Sequence, residues 1–108
     1  MTQTEAEVHC EQQGMLLAKP LTTEELEVFL YFVKWNVPPR QNAWTGLTRT
    51  TDGATDEVTD IGGEWDNGNP SGDGTCTEIT KHGLFNDLSC IQHSRPAICQ
   101  TRSMYICH

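Results

Sequence analysis

Phe85-Asn86-Asp87-Leu88-Ser89-Cys90, followed closely by Pro96-Ala97-Ile98-Cys99-Gln100, is the stretch on which the fold of this chain turns. It holds two of the five cysteines; the others are Cys10, Cys76 and Cys107. No C-x-x-C occurs, and no paired Cys/His spacing suits zinc. A set this dense in a small chain reads as a disulfide framework, which places the protein in an oxidising, secreted or extracellular setting. The odd count leaves one cysteine over, as a free thiol or as a bridge to another chain.

Working outward, the 108 residues suffice for one small domain. A core of that size leaves little margin. The net charge is -8. Such a surface repels phosphate backbones and anionic lipid, so nucleic acid is not expected as a partner. The acid excess serves solubility, or some carboxylates hold a cation. No apolar run approaches the roughly 20 residues that span a bilayer, so no membrane insertion is expected. Met1 leads straight into the polar residues 2–7, with no visible targeting segment. Secretion then implies a signal peptide already removed.

Thr4-Glu5-Ala6-Glu7 has the capping-box pattern, with Thr4 as N-cap. Ala6 and Cys10 follow one turn apart, and Gly14 is a natural stop, so residues 5–13 read as a short helix. Thr22-x-x-Glu25 is a second capping box, and Leu26, Phe29, Leu30 and Val33 continue at helical spacing. Residues 24–35 are therefore an amphipathic helix, ended by Pro38-Pro39. Ala43-Trp44-Thr45-Gly46-Leu47 reads as a buried strand. Residues 50–75 form a long polar loop, a length that usually means function or disorder. Short strands are expected at residues 77–80, 84–85, 95–100 and 104–107.

These elements in this order resemble the C-type lectin-like domain, from about residue 4 to residue 100. The family's E-A-x-x-x-C-x-x-x-G-x-x-L helix stands here as Glu5-Ala6, Cys10, Gly14 and Leu17. Its W-I-G-L strand stands as Trp44-Thr45-Gly46-Leu47. Its W-N-D-x-x-C and P-x-I-C endings stand as the two stretches quoted first. The resemblance implies one α+β domain over residues 1–108: two helices, small antiparallel sheets and a long polar loop. It also implies the bridges Cys10–Cys99 and Cys76–Cys90. In the chain-entropy model these contribute about 4–5 and about 3 kcal/mol. Cys107 lies outside that framework. The family's first strand, which precedes the first helix, is not expected among these residues, since only three stand before Thr4. Either the C-terminal tail covers the resulting sheet edge or another chain does, and Cys107 or that open edge suggests a homodimer.

In sugar-binding members of the family, polar side chains around a cis proline and the Asn-Asp of W-N-D hold calcium and the sugar. The corresponding residues here are Asn69, Ser71, Asp73, Asn86 and Asp87 as ligand-binding candidates. Asn69, Asp73, Asn86 and Asp87 are the calcium candidates. Asn69-Pro70-Ser71 is neither E-P-N nor Q-P-D, and the family's acidic position before the cysteine falls on Gly74. A set with two carboxylates at most implies weak calcium binding. Trp65 and Phe85 read as core. His9, His82, His93 and His108 form no HExxH or i,i+4 pair.

No G-x-S-x-G is present, and bridged cysteines are not nucleophiles, so no enzyme is expected. The expected function is an extracellular carbohydrate-binding module, such as one recognising microbial or host glycans in innate defence. The alternative is a calcium-independent module for a protein or other surface ligand.

Overall fold

The computed structural model describes residues 1–101 and the backbone of residues 105–107. Helix α1 spans Gln3–Glu11, two residues earlier than the sequence suggests. Its N-cap is Thr2, whose hydroxyl accepts the Glu5 N–H while the Glu5 carboxylate accepts the Thr2 N–H at 2.8 Å. The pattern occurs twice in overlapping register. Starting at Thr2 brings Gln3 into the helix beside Ala6 and Cys10, and all three are buried.

Strand β1, Leu16–Leu17, follows, and then α2, Thr23–Asn36, capped by Thr22 as its pattern requires. Lys81 Nζ donates to the carbonyls of Lys34 and Val37 at the end of α2. That supplies positive charge where the helix dipole is negative.

Strand β2 is Asn42–Thr48. The long loop is not structureless: it carries the short helix α3, Glu57–Asp60, and strand β3, Glu64–Trp65. Strands β4, Cys76–Thr80, and β5, Leu84–Leu88, form a hairpin. The order β2-β4-β5-β3 makes one sheet, in which β3 lies parallel to β5 rather than antiparallel as the other pairs do. Strand β6, Ile98–Gln100, is shorter than expected because Trp44 N–H takes the Pro96 carbonyl outside any regular ladder. It sits between β1 and β7, Tyr105–Cys107, in a second sheet. The C-terminal tail of this chain therefore pairs with β6. The state of the Cys107 thiol lies outside the described residues.

Side chains alternate across the larger sheet. Ala43, Ile79 and Phe85 face a core shared with Leu26, Phe29 and Val33 of α2. Trp44, Cys76 and Leu88 face a second cluster, which includes Ala6 and Cys10 of α1. The bridges are Cys10–Cys99, joining α1 to β6, and Cys76–Cys90, joining β4 to the segment after β5. Between β2 and β4 the chain leaves this frame, and there Asn69, Ser71 and Asp73 lie, while Asn86 and Asp87 stand on β5.

Candidate functional site

Few apolar groups fix the segment 49–75. Val58 and Ile61 reach the core, and half-buried Trp65 packs against it. Carboxylates do much of the remaining work. Asp56 caps α3, accepting the Thr59 N–H at 2.9 Å and the Trp65 Nε1–H at 3.2 Å. Its other neighbour is Arg49, 3.6 Å away. Glu57 accepts the Thr48 N–H at 2.8 Å and the Thr48 hydroxyl at 2.7 Å, and pairs with Lys19 at 3.0 Å. Burial raises the Glu57 carboxyl, but the Thr48 and Lys19 contacts outweigh it and leave the group below its ordinary value.

Asp87 organises the tip. It is 4% exposed. Its Oδ1 accepts the Ser71 N–H at 2.6 Å and the Ser71 hydroxyl at 3.0 Å, and its Oδ2 accepts the Gly72 N–H at 2.7 Å. The Asn69–Pro70 peptide just before is cis, and Gly72 has a φ of +82° that side chains disfavour. The Ser71 hydroxyl also accepts the Asp73 N–H at 3.3 Å. Burial raises the Asp87 carboxyl, but the Ser71 and Gly72 donors prevail and hold it below its ordinary value.

Asn86 faces elsewhere. It pairs with Glu78 in register, while Asp87 pairs with Thr77. Asn86 Nδ2 donates to Glu78 Oε2 at 3.1 Å, and Arg95 Nε donates to Glu78 Oε1 at 2.6 Å. Asn86 Oδ1 is buried with no hydrogen-bond partner among the described residues.

The structure thus joins Ser71, Asp73 and Asp87 through hydrogen bonds and turns Asn86 toward Glu78. Asn69 is tied through its backbone N–H to the Asp66 carbonyl. Glu78, Arg95, Asp56 and Glu57 were not anticipated. Asp56-x-x-Thr59 does carry a helix N-cap pattern, and Glu78 is an acid inside a strand.

These residues fit calcium poorly. The ion takes about six to eight oxygens. Both Asp87 oxygens and the Ser71 hydroxyl already hold the loop. At Gly74 a Cβ would lie 2.1 Å from the Leu88 carbonyl oxygen, so no side chain fits there without movement. The oxygens left over are those of Asn69 and the exposed Asp73, since Asn86 Oδ1 is buried on the side that faces Glu78. No group of three His, Cys, Asp or Glu side chains suited to a metal occurs among the described residues.

A family model for the lectin C-type domain matches residues 1–101. The chain belongs to the C-type lectin domain family. Members are generally non-enzymatic and commonly bind calcium. The domain is similar to the mouse scavenger receptor C-type lectin carbohydrate-recognition domain, at 25% identity and a TM-score of 0.67, over 91% of this chain and 80% of that one. The human scavenger receptor counterpart is 22% identical with a TM-score of 0.67, over 100% and 84% of the two chains. Human lithostathine is 20% identical with a TM-score of 0.68, over 91% and 82%. No curated protein matches. Among the described residues no helix is long and apolar enough to cross a membrane.

Proposed function

We propose that this C-type lectin domain is a non-enzymatic extracellular recognition module whose ligand meets the surface of the Pro70 loop, and that the loop is held without calcium. The carrying observation is the Asp87 carboxylate. Two backbone N–H groups and a hydroxyl supply the positive partners that a cation would otherwise provide. A loop already anchored this way needs no metal to take its shape. In sugar-binding members of the family calcium itself holds the sugar, so a loop held without the ion favours a protein or another surface group as ligand.

Thermal melting tests this. A ligand that binds only the native state must raise its melting temperature. The midpoint is expected to be the same in millimolar calcium and in chelator, and a clear rise with calcium overturns the proposal.

A second reading is a sugar ligand, for which the exposed Ser71 and Asp73 stand on the loop surface. It is also favoured by likeness to a protein named as a carbohydrate-recognition domain at 25% identity. Asn69, Ser71 and Asp73 offer the amide, hydroxyl and carboxylate groups that sugar hydroxyls pair with. A glycan array run with calcium and with chelator separates the two readings. Binding that survives chelator supports a metal-free sugar site; silence in both conditions removes sugar as the ligand.

A further inference from the structure

Helix α2 has two apolar faces, and the core uses one. Leu26, Phe29 and Val33 are buried. Val28, Tyr31 and Trp35 are 59%, 70% and 66% exposed. Steps of three and four place them along one stripe. A scattered surface hydrophobic needs no explanation, but a contiguous row marks a contact surface. The Tyr31 and Trp35 rings meet edge to face at 6.4 Å, and Lys34 Nζ lies 5.4 Å from the Trp35 ring centre.

The charges beside the stripe say what covers it. Exposed Glu24 and Glu27 lie in the N-terminal half of α2, Lys34 lies in its last turn, and exposed Arg40 follows the helix. A helix that is acidic at one end and basic at the other complements its own reverse. Parallel packing would set glutamate against glutamate.

We propose that this face is an interface between two copies of the chain, with α2 packed antiparallel against the partner's α2 about a two-fold axis near Tyr31. The contact is isologous, so each side gives the same residues. Glu27 then meets the partner's Lys34, and Val28 lies near the partner's Trp35. A standard interface uses roughly 20–30 residues a side, and this stripe is narrower, so association is weak and salt-sensitive. It is independent of Cys107 and of how the Pro70 loop binds its ligand.

The test is the solution mass of a Cys107→Ser chain by sedimentation over a wide concentration range, which leaves only non-covalent contacts. The mass is expected to approach that of a dimer as concentration rises. Trp35→Glu and Tyr31→Glu should each weaken association by about tenfold or more, with thermal melts unchanged at dilutions where the parent chain is itself monomeric, because both side chains are exposed. Glu27→Lys alone should weaken it, and Glu27→Lys combined with Lys34→Glu should restore most of it. A monomer at every concentration, or a dimer indifferent to Trp35→Glu, overturns the interface. Failure of the charge swap to restore association overturns its antiparallel sense.

Discussion

The helix-and-sheet body and the long loop are built by different means. In the body, Phe29, Trp44, Ile79 and Phe85 are 0% exposed, and burial does the holding. The loop is held instead by carboxylates, Asp52, Asp56 and Glu57 from within it and Asp87 from β5, each of which collects backbone or hydroxyl donors. The contrast follows from pattern. Where apolar residues recur with a helix or strand period, a shared core forms. Where they do not, backbone N–H groups still need acceptors, and carboxylates supply strong ones. The body should therefore fail through lost burial or lost cross-links, and the loop through lost charge.

That difference can be broken at several strengths. Cys10→Ser opens a loop with a sequence separation of 89 residues. It is expected to cost about 4–5 kcal/mol in denaturant unfolding and to unfold the body as a whole. A small loss there would mean that burial alone suffices. Gly74→Ala strikes the seam between the two regions, because its Cβ would collide with the Leu88 carbonyl. Overpacking against backbone predicts a loss of about 3 kcal/mol by the same measurement. Asp87→Asn removes the charge and one acceptor from the loop anchor. A loss of about 2 kcal/mol is expected, with faster hydrogen exchange at the Ser71 and Gly72 amides and unchanged exchange in β4. Equal loosening of β4 would show that the regions are one unit.

The smallest effect is set by acid. Asp87 and Glu57 have folded pKa values below their ordinary ones. Their contribution is therefore complete above the unfolded value, near about 4, and is lost as pH falls through the folded values. Stability should be level near neutrality and decline below that point. Asp87→Asn should flatten the decline; an unchanged profile would remove Asp87 from the account.

What was legible follows the same divide. Helix α2 could be read from Thr22, Glu25 and the Leu26–Phe29–Val33 spacing because a cap and a period both mark it. Strand β2 could be read from Trp44 and Leu47. Similarity of motif order, not spacing, supplied Cys10–Cys99 and Cys76–Cys90, since five cysteines permit many pairings. The start of α1 slipped because Thr2-x-x-Glu5 and Thr4-x-x-Glu7 overlap, and the burial of Gln3 decides between them. Helix α3 spans Glu57–Asp60, too short to show a period. The partners of Asp87 are backbone amides of Ser71 and Gly72, distant in sequence and invisible in side-chain identity. Asn86 turns toward Glu78 because neighbours on a strand face opposite ways, which a motif read as letters does not convey.

Two of the three groups that grip Asp87 belong to the main chain. A library that randomises the exposed residues Asn67, Ser71 and Asp73, while keeping Pro70, Gly72 and Asp87, would retain those two grips whatever amino acid stands at 71 other than proline. The tip can therefore change its chemical vocabulary from variant to variant while its outline persists, which makes the domain a candidate chassis for grafted specificities.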